Sequence, residues 1–576
     1  MASEATPTTA ASPVVRPAKL HGRAFYESIG SPKYIVAPMV DQSEFAWRML
    51  TRSFLPESER SSILAYTPMF HARLFVDSQK YRDSHFQPTP STASLVSTQH
   101  QHQQPSGADP ATDGQNHEQP YLDGNPKIDR PLFVQFCAND PQALLSAAKL
   151  VAPHCDAVDL NLGCPQGIAR KGHYGAFLQE DQALIHDMVK TLHEGLDVPV
   201  TAKIRILDTR EATLAYARNV LSAGASILTV HGRRREQKGH LTGVADWEYI
   251  RHLRENLPPE TVIFANGNVL QHGDLRRCLD ATGADGVMSA EGNLSDPALE
   301  FWRGRDGRGG WRVDAVMRRY LDIMHRYVLN QEPPARRPLF KGAAAAAAAK
   351  MTSITAGPNF VGMQAHLFHM LRHFVTRHHD VRDAMARSRL GDITSHERIL
   401  DMVERKVAGG LLEYERTGGR SAEDDGRNSA YEKGSRKEGD GGNNVPVAST
   451  VVPAPDAAET RTPPDEEVVV VDDPNSSVAT VKRCKRPWWV VQPIIRPLPA
   501  EALAKGAISL SKKERQKTEG GVNDNGDKAE AKAEAVVAQP SVTPVQAANG
   551  NGVNGEASEE ALEKKTSFPE SDLVSG

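Results

Sequence analysis

The sequence predicts an α/β protein: a closed TIM (β/α)8 barrel, followed by a helical C-terminal domain and disordered tails. Three observations predict this fold. Eight short apolar runs recur between residues 34 and 290, helical patterns lie between them, and polar residues follow nearly every run. Apolar strands that alternate with amphipathic helices are typical of a parallel sheet covered by helices. Eight such units over roughly 220 residues match the usual size of the barrel.

The eight predicted strands are short and rich in β-branched or aromatic residues. They lie at 34–40, 63–67, 132–137, 157–162, 199–206, 226–231, 261–266 and 286–290. Apolar residues recur three and four positions apart at 141–151, 180–194 and 211–223, which predicts helices there. The competing interpretation is a doubly wound open sheet. The count of eight and the lack of a GxGxxG turn after the first strand disfavour it.

Composition predicts the remaining organisation of the chain. Gln, His, Pro and Ser dominate one internal stretch, and the C-terminal third is charged and rich in Gly, Pro and Ser. We therefore expect a disordered N-terminus at 1–30, a barrel at 31–305 with a low-complexity insertion at 84–127, a helical domain at 306–416, and a mostly disordered tail at 417–576. Within that tail, 482–499 is apolar and aromatic, and we expect it to dock onto the folded body.

Positive charge is concentrated in one part of the chain. The net charge is −4, yet residues 301–400 hold 17 Lys and Arg against 8 Asp and Glu, with seven histidines besides. Local positive charge of this kind is typical of a surface that binds a polyanion, because neutralised phosphates release counterions. A solvated basic helix face is an equally good explanation on charge alone.

Cysteine usage and hydropathy exclude several classes of protein. The five cysteines, at 137, 155, 164, 278 and 484, include no CxxC pair, which favours a reducing compartment over a disulfide scaffold or a metal site. No run approaches the roughly 18 apolar residues that a membrane span needs. We expect a cytoplasmic protein without a membrane segment, a metal or an obligate protein partner. The nucleus stays open, because KRCKRP at 482–487 is too short to assign as a nuclear signal.

Candidate functional residues stand at the carboxyl ends of the predicted strands, where barrel enzymes carry their active sites. The candidates are Pro38, Met39, Val40, Gln135, Asn161, Lys203, Arg205, His231, Arg233, Asn266, Gly267, Asn268, Ala290 and Glu291. Lys203 is the most informative, because a lysine within a buried strand needs an anionic partner to offset its desolvation. Structural roles remain open for Gln135 and His231.

Cys164 differs from an ordinary buried cysteine. It lies just past the fourth predicted strand, on a loop bounded by Gly163 and Pro165, and Arg170, Lys171 and His173 follow it. A thiol in such a place can act as a general acid whose pKa is tuned by basic neighbours. Burial in apolar surroundings is the usual alternative for cysteine.

These residues together resemble the tRNA-dihydrouridine synthase family. The resemblance covers residues 34–300 and is most specific in DLNLGCPQGIARKGHYGAFL; further matches are VQFCANDP, VTAKIRI, TVHGRRREQKG, FANGN and GADGVMSAEG. The stretches PNFVGMQAHLFHMLRHF and KRPWWVVQPIIRP are similar to the eukaryotic branch that modifies D-loop positions 16 and 17.

The resemblance implies a reaction in two halves. NADPH or NADH reduces FMN, the reduced flavin gives hydride to C6 of a uridine in tRNA, and Cys164 gives a proton to C5. It implies that Asn161, Arg205 and Arg233 contact the substrate and that the other candidates contact FMN. Bacterial members typically have Gly-Arg where this chain has Ala290-Glu291, so a guanidinium contact to phosphate at 291 is lost here.

Two other functions fit the same residues. One is a flavin-dependent barrel that acts on a free pyrimidine or enone, and the other is a non-catalytic tRNA-binding protein on the same scaffold. A tRNA substrate requires the target base to leave its stack, which costs a few kcal/mol and calls for phosphate contacts elsewhere. The basic helical region, with Arg372 and Arg377, is the expected source of those contacts.

Overall fold

The computed structural model describes the folded parts of the chain. These are residues 19–90, 120–238, 242–298, 310–340, 357–422, 476–477, 479–480, 486–498 and 501 of the 576. The helices and strands given below belong to one compact unit that reaches Leu498. The stretches 1–18, 91–119 and most of 423–576, where we predicted disorder, lie outside the described residues.

Nine parallel strands form the sheet. They are β1 (Tyr34–Val36), β2 (Ile63–Tyr66), β3 (Phe70–His71), β4 (Leu132–Cys137), β5 (Ala157–Leu162), β6 (Val200–Arg205), β7 (Ile227–His231), β8 (Val262–Asn266) and β9 (Gly286–Ser289). Because β2 pairs with both β1 and β4, eight strands close into a barrel, and β3 adds only a short pairing beside β4. The predicted eight-stranded barrel is confirmed; β3 was not predicted, since two residues carry no periodicity.

Helices connect the strands and cover the barrel. Those of the barrel are Gly22–Ser28, Phe45–Arg52, Ala72–Asp77, Gln79–His85, Pro141–Val151, Gly167–Gly172, Gln182–Gly195, Arg210–Ser222, Trp247–Asn256, His272–Thr282 and Glu291–Ser295. The three helices predicted from periodicity begin after side chains that cap them, Asp140, Asp181 and Thr209. Such caps satisfy backbone N–H groups of the first turn.

The lumen of the barrel changes from apolar to polar along the strands. Residues two apart on a strand share a face, and in-register neighbours of parallel strands lie side by side. At the amino ends the lumen is filled by buried apolar side chains, among them Phe133, Ala157, Ile227 and Phe264. The next layers towards the carboxyl ends are polar and include Gln135, Asp159, Thr201, Asn161 and Lys203. The polar end of the lumen is therefore where a functional site should be sought.

The edges of the predicted insertion belong to the folded body. Asp123 and Asp129 are buried and form ion pairs with the buried Arg48, at 2.7 and 2.5 Å, and Asp129 also pairs with Arg52. The backbone N–H of Gln87 donates to Asp123 at 2.6 Å. The prediction of an insertion over 84–127 was therefore too wide at both ends. Its polar composition gave no indication that two of the carboxylates in and beside this stretch pair with arginines on the helix after β1.

The helical region packs directly on the barrel. Its helices are Val313–Ile323, Pro358–Val361, Met363–Met370, Arg372–Arg377, His379–Arg387 and Ile393–Arg416, with one π-helical turn at Met324–Val328. The Trp47 ring stacks on His366 at 4.2 Å between centroids, and the Trp47 indole N–H donates to Asn293 Oδ1 at 2.7 Å. The regions that we predicted as two domains thus share one hydrophobic core.

A C-terminal strap, residues 486–498, lies against both regions. Trp488, Trp489 and Val491 are buried in the shared core, and the N–H of Val313 donates to the carbonyl of Trp489 at 3.0 Å. Arg486 forms a buried ion pair with Asp296 at 2.8 Å. The expectation that this apolar segment docks onto the folded body agrees with these contacts.

A pair of adjacent glycines tests the packing of the strap. A Cβ at Gly410, in the last helix, would lie 2.4 Å from Trp488 Cζ2, whereas a Cβ at Gly409 would meet nothing within 4 Å. We expect Gly410→Ala to lower the free energy of unfolding by about 1–3 kcal/mol through overpacking. Gly409→Ala should raise it by about 0.5–1 kcal/mol, because alanine loses less backbone entropy in a helix. Urea unfolding of the full chain measures both, and equal stability of the two variants would contradict the docking of the strap.

Candidate active site at the carboxyl ends of the strands

The barrel closure brings the candidate residues together at one end of the lumen. Asn161 lies in register with Lys203, and Arg205 lies in register with His231, which in turn pairs with Asn266. In-register residues of neighbouring parallel strands point to the same face. Side chains far apart in the sequence therefore line a single pocket.

Cys164 stands on a turn that Asn161 holds in place. Asn161 Oδ1 accepts hydrogen bonds from the backbone N–H groups of Gly163 and Cys164, at 3.0 and 2.9 Å. Cys164 itself is only partly buried and packs beside a small cluster that contains Cys137 and Tyr174. The thiol is therefore not enclosed in packed hydrocarbon, whereas Cys137, Cys155 and Cys278 are buried.

A chain of hydrogen bonds supports that turn from inside the barrel. Asn161 Nδ2 donates to Gln135 Oε1 at 2.8 Å, and Gln135 Nε2 donates to Asp159 Oδ2 at 2.8 Å. Thr201 Oγ1 donates to Asp159 Oδ1 at 2.6 Å. Burial raises the pKa of Asp159 to about 6, although the hydrogen bonds from Thr201 and Gln135 act against this. The buried carboxylate of Asp159 can only accept, so it sets which group donates and which accepts in each of these hydrogen bonds.

The direction of this chain can be reversed by two isosteric substitutions. In Asn161→Asp, the new carboxylate oxygen faces Gln135 Oε1, so two acceptors meet. If the Gln135 amide rotates so that its Nε2 donates to the new carboxylate, its Oε1 then faces the Asp159 carboxylate, and two acceptors meet there instead. We expect this variant to lose about 1–3 kcal/mol of stability. Adding Asp159→Asn supplies the missing N–H and should recover most of the loss.

A double-mutant cycle measures the coupling energy between the two positions. It compares the free energies of urea unfolding of the wild type, Asn161→Asp, Asp159→Asn and the double variant. Groups within one hydrogen-bond network usually couple by about 0.5–3 kcal/mol. Additive effects of the two substitutions would contradict the proposed direction of the hydrogen bonds.

Basic residues from other strands surround the Cys164 loop. Arg205 Nε donates to the carbonyl of Gly163 at 2.7 Å, and Lys238 Nζ donates to that of Pro165 at 2.7 Å. Burial raises the pKa of the Cys164 thiol, and the Gln166 backbone, Arg205 and Lys203 offset part of that rise. The thiol therefore keeps its proton at neutral pH, as a general acid requires.

The basic neighbours that affect the thiol differ from those we expected. Arg205, Lys203 and Lys238 are the cations that lower its pKa, not the residues that follow Cys164 in the sequence. Arg205, which we predicted to contact the substrate, is buried, and its Nε and Nη1 donate to loop carbonyls. Of the three guanidinium nitrogens of Arg205, Nη2 alone has no hydrogen-bond partner among the described residues.

Lys203 is a buried cation that no described carboxylate contacts in an ion pair. Its side chain is 6% exposed, and within the described part of the chain its Nζ forms no hydrogen bond or ion pair. Burial and the neighbouring Arg205 lower its pKa to about 8, while Asp159 raises it to a lesser extent. A lysine kept in this state is poised to receive an anionic or electron-rich ligand.

The end of β7 and the loop after β8 form a second part of the pocket. Arg233 Nη1 donates to His231 Nε2 at 3.1 Å, and Arg233 Nη2 donates to Asn268 Oδ1. Two buried polar atoms here, His231 Nδ1 and Asn266 Oδ1, have no hydrogen-bond partner in the described part of the chain. Burial and nearby cations hold the pKa of His231 well below its usual range, so the ring is neutral.

Gly267 and Arg233 shape this second part. A Cβ on Gly267, whose φ is +110°, would lie 2.9 Å from the His231 ring, so only glycine allows the loop to approach. Arg233 is buried and donates to the carbonyls of Thr242 and Gly243 as well. It therefore holds His231 and Asn268 in place, and its contact with the substrate stays a prediction.

The remaining candidates lie at the ends of β1 and β9. Pro38 and Met39 are buried, Val40 is half-buried, and the N–H of Met39 donates to Ser43 Oγ at 3.0 Å. Ala290 is buried. Glu291, which we predicted to contact the cofactor, is ion-paired with Arg496 of the C-terminal strap.

Two residues of the site were not singled out from the sequence. Asp159 lies in the buried strand AVDLNL, and the argument applied to Lys203 would have found it there. Arg496 lies at the end of the strap, and nothing in its local sequence pairs it with Glu291. No group of three or more His, Cys, Asp or Glu side chains within the described ranges could hold a metal ion. Likewise, no described helix is both long and apolar enough to cross a membrane.

The closed barrel, with a loop thiol and a cationic pocket at the carboxyl ends of its strands, defines an enzyme of the β/α-barrel class. A family model described as dihydrouridine synthase (Dus) matches residues 35–302. The chain belongs to the dihydrouridine synthase family.

Curated relatives support this membership over most of the folded chain. A Saccharomyces cerevisiae tRNA-dihydrouridine(16/17) synthase [NAD(P)(+)] is 47% identical over 64% of this chain and 72% of that protein. The Schizosaccharomyces pombe protein of the same name is 44% identical over 64% of this chain and 76% of that protein. A Mus musculus tRNA-dihydrouridine(16/17) synthase-like protein is 43% identical over 54% of this chain and 55% of that protein.

Proposed function

We propose that this chain reduces uridine to 5,6-dihydrouridine at D-loop positions 16 and 17 of tRNA, with FMN as cofactor and NADPH or NADH as reductant, in the cytoplasm or nucleus. The observation that carries the proposal is the loop thiol of Cys164, held on a rigid turn beside the unpaired cation Lys203. The names and similarity of the curated relatives support the substrate and the reductant.

The residues at the mouth fit FMN. A flavin offers acceptors along its pyrimidine edge, a region that becomes electron-rich on reduction, and Lys203 is a buried donor without a partner among the described residues. His231 Nδ1 and Asn266 Oδ1 are further buried atoms that no described residue binds. The loops after the last two strands of a barrel are the usual place for a phosphate, and here they are Gly267-Asn268 and Ala290-Glu291.

The roles of the protein groups follow from this arrangement. When bound, reduced FMN supplies the hydride that C6 of the uracil receives. Cys164 holds on its Sγ the proton that C5 receives, and the raised pKa of the thiol keeps that proton in place at neutral pH. Asn161 fixes the turn on which the thiol stands and retains one N–H for a uracil oxygen. Lys203 and His231 hold the cofactor.

Contacts to the tRNA backbone are assigned to the helical region. Many of its arginines are internally paired, such as Arg318 with Glu404 and Arg336 with Asp322. Arg372, Arg387, Arg389 and Arg398 are exposed and have no ion pair among the described residues. Arg372 acts electrostatically on His369, which also lies near Glu291 at the mouth of the barrel. Phosphate contacts at this surface would offset the cost of extruding the target base.

The purified protein, supplied with FMN and NADPH, tests the proposal on an unmodified tRNA transcript with uridine at positions 16 and 17. We expect mass-spectrometric mapping to find dihydrouridine at those positions, and none when both are replaced by cytidine. tRNA from cells that lack the protein should lose dihydrouridine at the same positions.

Three results would contradict the proposal. Reduction of free uridine at the rate seen with tRNA would favour a small-molecule enzyme. A colourless protein that binds tRNA but no flavin would favour a non-catalytic function. Dihydrouridine formed only at other positions of the tRNA would contradict the assignment to 16 and 17.

A further inference from the structure

The C-terminal strap ends at the mouth of the barrel. Beyond Trp488 and Trp489, which anchor it in the core, the strap continues to Arg496, whose Nη2 pairs with both carboxylate oxygens of Glu291. Glu291 directly follows Ala290 at the end of β9. The strap therefore places the guanidinium of Arg496 beside the loops that follow the last two barrel strands.

The guanidinium of Arg496 is only partly used. Its Nε is buried without a partner, and Nη1 has no hydrogen bond among the described residues. The side chain is still 24% exposed, so it is reachable from solvent. An arginine that offers unused N–H donors and is accessible to solvent is suited to bind the oxygens of a phosphate.

Cations outnumber carboxylates at this corner. Arg496 and Arg233 lie close enough to act on each other electrostatically, and Glu291 is the carboxylate that acts on Arg233. Burial, and after it Arg496, lowers the pKa of Arg233; burial likewise lowers that of His231, and the nearby cations, Arg496 among them, lower it further. The excess of positive charge would be balanced by an anion.

We propose that Arg496 binds the phosphate group of FMN, so that the C-terminal strap completes the cofactor site. Glu291 orients Arg496 by pairing with Nη2, which leaves Nη1 and Nε for the phosphate. Arg233 contributes to the same corner through its link to Asn268. This inference rests on the proposed function, since it assumes that FMN is the cofactor.

Riboflavin, which has the isoalloxazine ring but no phosphate, separates this contact from the rest of the site. The full-length protein, freed of flavin, is titrated with FMN and with riboflavin, and binding is followed by flavin fluorescence. We expect Arg496→Gln to weaken FMN binding by about tenfold to a hundredfold, the usual effect of losing a charge-assisted hydrogen bond. Riboflavin binding should stay within about twofold of the wild type, because the lost contact is to phosphate alone.

Two further variants act as controls. Arg496→Lys keeps the charge and should retain most of the preference for FMN. Arg234→Gln removes an exposed arginine whose one ion pair within the described ranges is to Asp208, at 3.3 Å on the surface, and it should change the binding of neither flavin.

The outcomes separate this inference from the proposed function. An unchanged affinity of Arg496→Gln for FMN, while the wild type prefers FMN to riboflavin, would overturn the role of Arg496 alone. An equal loss for both flavins would also overturn it, because the arginine would then support the fold rather than the phosphate. A wild type that binds neither flavin would instead contradict the proposed function.

Discussion

Cys164→Ala is expected to lower the rate of dihydrouridine formation by about 10²–10⁴-fold, the usual contribution of a general acid. The alanine removes the proton that C5 must receive, but it leaves the turn intact, because Asn161 binds the backbone N–H of residue 164. Flavin binding and tRNA binding should therefore stay at wild-type levels. The measurement is the single-turnover rate with prereduced enzyme and tRNA in excess.

Cys278→Ala provides a matched control for this substitution. Cys278 is buried in the helix His272–Thr282, and replacing it removes a thiol without touching the mouth of the barrel. The control should turn over at close to the wild-type rate. Turnover of Cys164→Ala within a few-fold of the wild type would exclude the thiol as the proton donor. A loss of flavin from the variant would mean instead that Cys164 supports the cofactor site.

Lys203→Met is expected to change the stability of the flavin-free and the flavin-bound protein in opposite directions. The apoprotein should unfold at a higher temperature than the wild type, because methionine fills the space without burying an unpaired charge. The stabilisation produced by FMN should shrink, since affinity falls by about tenfold to a hundredfold with the lost charge-assisted contact. Thermal unfolding with and without FMN measures both effects.

Lys203→Met should also remove the pH dependence of the affinity for FMN. Burial lowers the pKa of Lys203 in the free protein to about 8. An electron-rich ligand favours the protonated amine, so binding takes up a proton above that pH. FMN affinity of the wild type should therefore fall as pH rises through about 8, whereas that of Lys203→Met should stay level.

Lys190→Met is the control for the loss of a lysine. Lys190 is exposed and pairs with Glu194 on the surface of its helix, so this substitution should change neither the apoprotein stability nor the pH profile appreciably. A Lys203→Met apoprotein that is less stable than the wild type would show that Lys203 has a partner in the free protein. It would contradict the unpaired state on which its assignment depends.

Local patterns predicted most of the barrel. All eight barrel strands lie within the runs chosen for their apolar, β-branched composition, and the three helices assigned from periodicity lie at the expected positions. The edges of the insertion were predicted less well. The stretch that contains Asp123 and Asp129 has the composition of a loop, and its order depends on two arginines about 75 residues away. The composition of a segment indicates how much apolar surface it can bury, but it does not show which residues elsewhere in the chain will pair with its charged groups.

The candidate site shows the same division. The position of Lys203 within a buried strand and of Cys164 on a loop between glycine and proline could be recognised from neighbouring residues alone. The chain of bonds from Asp159 through Gln135 to Asn161 could not, because its direction depends on which strands become neighbours when the barrel closes. The basic groups that act on the thiol likewise come from β6 and from the loop after β7.

Sequence patterns were enough to predict the barrel, the end of it that carries the candidate site, and the residues whose chemistry is unusual for their local surroundings. These properties depend on periodicity, on strand ends and on the cost of burying charge, all of which operate over a few residues. The partners of those residues depend on the folded arrangement of the chain, as Arg496 and Glu291, which are 205 positions apart, illustrate. Charged groups interact according to their distance in space, and these groups come close together only after the barrel has closed and the strap has packed against it.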